Sequence, residues 1–243
     1  VWYIANQSGK EKLLISQGVG QSTAGAGNAP TRTEYVGKST LSAVINRIGV
    51  IQNAGVHGVG TTITVLGWDP ADTHTSNFWE ELASVDASGS SSTMDTGSFT
   101  AKKYLWIQAY VSGSGTGSET NLDMGLQFNS DTATNYSDRL SSNGATDATS
   151  HTRPNLEFMH DRGTAYTGGR WTNGFFINNS ANEKLGIWHY YRGVSGAGTA
   201  PSRSEGVGKW ANTSSQITSV QGKTGGTSPN YPSGSFIKVW GHD

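Results

Sequence analysis

The side chains that could carry out chemistry in this chain of 243 residues occur in short polar stretches. The stretch "MHDRG" places His160, Asp161 and Arg162 in succession, and these residue types are suited to acid–base work. Adjacent residues on a strand point to opposite faces, so Asp161 is turned away from the other two. The sequence pairs no nucleophile with them, which favours a polar strand end over a catalytic site.

Two further stretches offer oxygen and imidazole ligands for a divalent cation. "NSDTATNYSD" contributes Asp131, Asn135 and Asp138. "DPADTH" contributes Asp69, Asp72 and His74. The first set lacks the spacing and the glycine of an EF-hand loop. Asp, Asn and Thr side chains also bond to their own backbone in turns. We therefore expect a solvated loop and a polar linker, with no metal and no cofactor.

Other catalytic patterns are weak. The glycine-rich "GVGQSTAGAG" lacks the residue order of a phosphate-binding loop. The chain has no cysteine, which excludes thiol nucleophiles and thiolate metal sites. A glycosidase needs two carboxylates that face each other across a cleft. The sequence offers many possible pairs and favours none of them, the candidates being Glu80, Glu81, Asp86, Glu157 and Glu183. The sequence predicts a protein that is not an enzyme and has no catalytic residues.

Composition limits the partners. The chain has 17 Lys and Arg against 18 Asp and Glu, a net charge of -1, and only 14% charged residues. Nucleic acids and anionic lipids are bound through basic patches, so neither is expected as a partner. No apolar run approaches the roughly 20 residues that span a bilayer, so no membrane insertion is expected.

The elements that must position these residues read as short strands. Gly, Ser, Thr and Asn interrupt the chain about every 8 to 12 residues, which is typical of strands joined by turns. Apolar residues alternate with polar or aromatic ones in "YLWIQAYV" and "NLDMGLQF", and "NFWEELASV" is also interpreted as a strand. "TTITVLGW" and "SFIKVWG" are predicted to be equivalent strands, with Ile63, Val65, Gly67 matching Ile237, Val239, Gly241.

The chain repeats itself. "GAGNAPTRTEYVGK" at 25–38 returns as "GAGTAPSRSEGVGK" at 196–209, and Ser8, Glu11, Lys12 and Leu13 recur as Ser180, Glu183, Lys184 and Leu185. Residues 78–243 are predicted to form a complete unit, and residues 1–77, with a linker at 70–77, a copy of its second half. Such a half-unit exposes an apolar face and unpaired edges, so we expect it to need a partner: the following unit, another subunit, or a missing front half.

The repeated loop carries Arg and Glu two residues apart, as Arg32 with Glu34 and as Arg203 with Glu205. In extended backbone these side chains share a face, so each can pair with opposite charge on a neighbouring strand or subunit. The loop is interpreted as a crossover within a sandwich or as an assembly loop between units.

Aromatic residues distinguish the second copy. Its "LGIWHYYRG" puts Trp188 and Tyr190 on one strand face and His189 and Tyr191 on the other. The outward pair could form a platform for sugar rings or a protein contact. The alternative is ordinary packing of both sheet faces.

The strings "FTAKKYLWIQAYV", "LQFNSDTATNYSDR" and "KWANTSSQITSVQ" resemble virion structural proteins of tailed phages, which are tail-fibre-like or capsid-associated β-sandwich repeats. The resemblance implies a jelly-roll-type sandwich for virion assembly or host-surface contact, located in the virion or outside cells. Its partners would be copies of itself, other virion proteins or cell-surface glycan. The first copy departs from the second at Ser39, which stands where the second has Trp210.

These features together predict an all-β fold, an antiparallel jelly-roll-type β-sandwich with a duplicated second half. The predicted function is a non-enzymatic virion structural protein, used in a tail, a fibre or capsid decoration as a homo-oligomer. A glycan-binding adhesin or lectin-like module is the alternative, and a polysaccharide-degrading enzyme a weaker one.

Overall fold

The structure, a computed structural model, describes residues 1–67, 78–113, 123–160, 168–193, 196–225 and 230–243. In these residues it contains strands and no helix, which confirms the predicted all-β class. None of the described segments therefore forms a helix that is long and apolar enough to cross a membrane. The predicted linker 70–77 and the candidate residues Asp69, Asp72, His74, Asp161 and Arg162 lie outside the described residues.

The described strands form three sheets, whose neighbours with a known register all pair antiparallel. The first contains, in spatial order, β1 (Trp2–Ala5), β2 (Lys12–Gly20) and β3 (Thr31–Ser39). The second contains β10 (Leu156–Met159), β7 (Met124–Phe128), β14 (Ser219–Thr224) and β5 (Thr93–Ser98). The third contains β4 (Glu80–Asp86), β15 (Phe236–His242), β6 (Tyr104–Val111), β11 (Arg170–Ile177), β12 (Lys184–Arg192), β13 (Ser202–Trp210), β8 (Tyr136–Ser142) and β9 (Ala148–Arg153).

The chain divides into two units. Unit 1 consists of Val1–Ser16 and Tyr35–Phe78, and unit 2 of Gln17–Glu34 and Trp79–Asp243. The sequence assigned residues 17–34 to the first unit, whereas the structure packs them with the second. The end of the β2–β3 hairpin therefore belongs to the sandwich of unit 2.

Unit 2 is a sandwich of the four-stranded and eight-stranded sheets. In β6 the residues Leu105, Ile107, Ala109 and Val111 are buried, as their alternation predicts. Aromatic rings fill the centre of the core, which includes Phe128, Phe158, Phe176, Trp188 and Trp210. "NFWEELASV" contains strand β4, as predicted, and the structure pairs this strand with β15. The antiparallel sandwich is thus confirmed, while its jelly-roll connectivity and the duplication remain predictions.

Unit 1 contains a buried lysine whose counterpart in unit 2 is buried as well. Lys12 is buried and donates from Nζ to the carbonyls of Gln7, Lys10 and Ser42. Lys184, its counterpart in the repeat, donates in the same manner to the carbonyls of Asn182 and Asn212. Both copies therefore satisfy a buried ammonium group with main-chain oxygens.

The strand predicted around "TTITVLGW" is wrong, because residues 61–67 form no strand. Its counterpart β15 is hydrogen-bonded on both sides, to β4 and to β6. Both neighbours come from residues 80–111, a part of the unit without a copy in residues 1–67. A strand needs neighbours to satisfy its backbone, and residues 61–67 have no neighbouring strands among the described residues. Ile63 and Val65 therefore lie in no sheet and remain exposed.

Candidate functional site

The most extensively built polar site lies within unit 2, where residues 17–34 cover part of the eight-stranded sheet. We call residues 17–34 the docked hairpin. Along β12 and β13 the side chains of Trp188 and Trp210 enter the core, while Ile187 and Val207 lie on the opposite face. These two are nevertheless buried, because the docked hairpin lies over that face.

Arg32 connects the docked hairpin to the sheet through Asp147 and Glu205, and it also pairs with Glu34 of the hairpin itself. Its guanidinium lies 3.0 Å from Glu34, 3.0 Å from Asp147 and 3.1 Å from Glu205. Only 15% of the Arg32 side chain and 9% of the Glu205 side chain are exposed. Arg203 forms an ion pair with the same Glu205. The structure thus brings together the four residues that the sequence singled out as an assembly loop.

Main-chain groups of the docked hairpin add hydrogen bonds to β8 and β9. The Ser137 hydroxyl donates to the carbonyl of Asn28 over 3.1 Å, and Arg139 Nε donates to the carbonyl of Pro30 over 2.9 Å. The Thr152 N–H donates to the carbonyl of Ala26 over 2.8 Å. Such bonds fix the position of a loop with little dependence on its side chains.

A buried ion pair receives the tip of the docked hairpin. Lys209 Nζ lies 3.5 Å from Glu183 Oε2, and the two side chains are 0% and 5% exposed. Lys209 donates to the carbonyl of Thr23 over 2.8 Å, and the Gly25 N–H donates to Glu183 Oε1. Charges buried this far from water are stable only when paired and hydrogen-bonded, so the hairpin tip completes the site. We call Glu183, Ile187, Val207 and Lys209 the receiving face.

His189 of the sheet meets Gln17 of the docked hairpin, with 2.5 Å between the two Nε2 atoms. Burial lowers the pKa of His189; the neighbouring Glu34 opposes this, and Arg203 and Arg32 add to it. A neutral imidazole that accepts from the Gln17 amide fits these surroundings. The adjoining cavity encloses about 10 Å³, which is the space of a single water molecule and excludes a sugar ring.

The aromatic surface predicted from "LGIWHYYRG" is divided between two faces. Trp188 and Tyr190 are each only 2% exposed and belong to the core, so neither can contact a ligand. Gly206 and Gly208 leave the space that the Trp188 ring occupies. Of the outward pair, His189 is partly covered and Tyr191 is 44% exposed, with their rings stacked at 6.3 Å. Of the four predicted surface residues, only His189 and Tyr191 therefore lie on the outer face of the sheet.

A second aromatic surface, which sequence reasoning missed, lies on strands β15, β6 and β11 of the same sheet and includes Trp79, which directly precedes β4. The Trp106 ring lies 5.0 Å from Trp240, 5.9 Å from Phe175 and 5.8 Å from Trp79. Farther along these strands the partly exposed ring of Phe236 contacts the partly exposed rings of Tyr110 and Trp171. We call these seven residues the aromatic face. Its signal in the sequence is aromatic residues in the phase opposite to the buried aliphatic ones, as in "YLWIQAYV".

The calcium candidates do not form a cation site. Asp131 accepts hydrogen bonds from Trp210 Nε1, from Asn135 Nδ2 and from the Ala133 N–H, at 2.7 to 2.9 Å. Burial alone would raise the pKa of Asp131, but these hydrogen bonds outweigh it and lower the pKa. Asp138 faces the core instead. In the described part of the chain no group of three His, Cys, Asp or Glu residues could hold a metal ion.

A cluster of titratable groups surrounds Asp138. Its Oδ2 accepts from the Glu157 N–H over 2.9 Å, and the Glu157 carboxylate contacts His160 Nδ1. The pKa of Asp138 is raised to about 6, mainly by burial and also by the Glu157 carboxylate, while the Glu157 N–H, Arg153 and His160 act in the opposite direction. His160, which the sequence considered with Asp161, is thus paired with Glu157.

No family model, no curated protein and no solved structure matches this chain. The function is therefore inferred from its own residues.

Proposed function

We propose that the chain is a non-enzymatic structural protein of a virion, placed in a tail, a fibre or capsid decoration, that assembles through its β-sandwich and its repeated loop. The observation that carries this proposal is the docked hairpin. A glycine-rich loop that occurs twice in the sequence is held on strand faces by Arg32, by buried charges and by main-chain bonds. A loop that ion pairs and main-chain hydrogen bonds fix together supports a structural role for this part of the chain.

Exposed apolar residues of unit 1 support the assembly role. Large apolar side chains stand out from its strands, with Trp2, Tyr3, Leu13, Ile15 and Tyr35 each more than half exposed. Tyr3 and Ile15 are paired across β1 and β2, and Leu13 shares a strand face with Ile15. An exposed apolar patch of this kind marks an interaction site. The location in a virion is supported by the resemblance of "LQFNSDTATNYSDR" and its companion strings to tailed-phage proteins.

The virion assignment is tested with an antibody raised against the purified chain. We expect immunogold label on particles in the virus fraction of the source material, at one defined position on each particle. Label confined to cell envelopes or to the soluble fraction would contradict the virion location and leave the assembly chemistry to be tested separately.

A second candidate function, glycan binding, is favoured by the aromatic face. Partly exposed aromatic rings such as Trp106 and Trp240, side by side on neighbouring strands, present apolar area to the faces of sugar rings. Polar side chains of the same strands, including Gln108, Asn173 and Lys238, lie at adjacent register positions.

A glycan array tests this candidate. If the aromatic face binds sugars, Trp240→Ala abolishes binding to a hit that the unaltered chain retains. Tyr35→Ala removes an exposed aromatic ring outside the aromatic face and leaves the same binding intact. Equal loss in both variants, or no hit for the unaltered chain, would reject glycan binding by this surface.

A further inference from the structure

The loop and the receiving face each occur twice in the sequence, but only one combination of them is joined in the described residues. The loop at 25–30 has its second copy at 196–201. The receiving face, formed by Glu183, Ile187, Val207 and Lys209, has its first copy in Glu11, Ile15, Val36 and Lys38. We call these four residues the open face.

The open face differs from the receiving face in exposure rather than in chemistry. Glu11 and Lys38 form an ion pair of 3.2 Å, as Glu183 and Lys209 do, yet they are 50% and 61% exposed. The apolar positions behave in the same way. Ile15 is 54% and Val36 77% exposed, against 7% for Ile187 and 1% for Val207. The first copy therefore carries the residues of a covered site without a cover.

The second copy of the loop is exposed as well. In the docked hairpin Pro30 is buried, and Gly25 and Ala26 are half-buried. Their counterparts Pro201, Gly196 and Ala197 are all exposed. One molecule thus presents both an unoccupied loop and an open face.

We propose that the loop Gly196–Pro201 of one molecule docks on the open face of a second copy of this chain, as the docked hairpin covers the receiving face. This rests on the proposed assembly function and specifies its contact. In the docked state the Gly196 N–H donates to the Glu11 carboxylate, as the Gly25 N–H donates to Glu183.

The docking is heterologous, because the loop and the open face are different surfaces. Each added molecule leaves one loop and one open face at the two ends, so the contact generates a head-to-tail chain or a ring rather than a closed two-fold dimer.

Charge exchange tests the open face. Glu11→Lys combined with Lys38→Glu keeps the ion pair within each molecule but places an ammonium group where the loop N–H needs a carboxylate. Sedimentation velocity of the full chain is expected to show association that this exchange weakens by about tenfold or more, the effect of one or two lost charge-assisted hydrogen bonds. Glu81→Lys combined with Lys238→Glu exchanges another exposed ion pair of 3.8 Å and serves as the matched control.

A mixing experiment tests the direction of docking. Ala197→Asp places a carboxylate in the exposed loop, where it repels Glu11, and leaves the open face intact. The loop variant and the face variant are each expected to sediment as monomers. Mixed, they form a one-to-one dimer that grows no further, since each supplies the surface that the other lacks.

The outcomes separate this contact from assembly in general. Association of the unaltered chain that neither variant weakens, or a mixture that stays monomeric, overturns the proposed contact and leaves assembly through another surface. An unaltered chain that sediments as a monomer at every concentration overturns both the contact and self-assembly.

Discussion

At the scale of single residues, Arg32 shows how a short pattern becomes a contact. The planar guanidinium of arginine can serve several carboxylates at once, and here it serves Glu34, Asp147 and Glu205. The spacing of Arg32 and Glu34 predicted two side chains on one face, each able to pair with opposite charge on a neighbouring strand or subunit. Asp147 could not be predicted as a partner, because it follows β8 in a distant part of the chain and only the tertiary fold brings it near.

Replacing Arg32 measures the strength of this contact. Arg32→Met leaves Glu205 buried with one cation fewer, and we expect a loss of about 2 kcal/mol in the free energy of unfolding. Arg203→Met is the matched control, because the Arg203 side chain is 56% exposed and exposed pairs contribute about 0–1 kcal/mol. Urea unfolding with an unchanged slope gives both values, and equal losses would contradict a central role for Arg32.

Asp138 is expected to make stability depend on pH. Its pKa of about 6 in the folded state lies above the value of an unfolded aspartate, so the folded chain holds a proton that the unfolded chain releases. Stability therefore falls as the pH rises from about 4 to about 6, by about 3 kcal/mol at 1.36 kcal/mol per pKa unit.

Asp138→Asn isolates this contribution, because the amide oxygen can still accept from the Glu157 N–H. We expect the difference in unfolding free energy between the variant and the unaltered chain to favour the variant increasingly from pH 4 to pH 6 and to level off above. A difference that does not change with pH would show that the carboxyl titrates normally.

At the scale of strands, the alternation of apolar residues predicted correctly those strands that are hydrogen-bonded to a neighbouring strand on both sides. The pattern of β6 and that of β15 were both realised, since each strand is hydrogen-bonded to two neighbours. Residues 61–67 carry the pattern of β15 without its neighbours and form no strand. Periodicity specifies which face a residue would occupy, whereas strand formation also requires a partner for the backbone.

Glycines in β13 and β3 provide a matched test of packing in the two copies. A Cβ at Gly208 would lie 2.8 Å from both Leu156 and Trp188, whereas at its counterpart Gly37 the nearest contact would be Leu14 at 3.8 Å. We expect Gly208→Ala to cost about 1–3 kcal/mol through overpacking. Gly37→Ala should be neutral or slightly stabilising, because glycine weakens a strand.

Thermal unfolding of the two alanine variants measures this difference. Equal midpoints would show that the Trp188 ring moves aside at no cost, and the role of Gly208 in seating that ring would be refuted.

At the scale of the whole chain, residues 17–34 belong by sequence to the first copy and by packing to unit 2. The predicted boundary followed the repeat, because a repeat reveals which segments are equivalent and not which segments touch. Residues 17–34 come from one copy of the repeated sequence and cover β12 and β13, which come from the other copy. The proposed assembly joins a loop and a strand face of the two copies between molecules.

Truncation tests how far the sandwich depends on the docked hairpin. A chain that begins at residue 35 loses the cover over Ile187 and Val207 and the hydrogen-bond partners that Lys209 and Glu183 find in residues 23–25. We expect it to be less stable by about 3–6 kcal/mol, since burial of each aliphatic side chain contributes about 1.5–3 kcal/mol. A chain that begins at residue 17 keeps the hairpin and should retain the unfolding midpoint of the sandwich. Hydrogen exchange at β12 and β13 should accelerate only in the shorter chain, and equal protection in both would mean that the sandwich is stable without its cover.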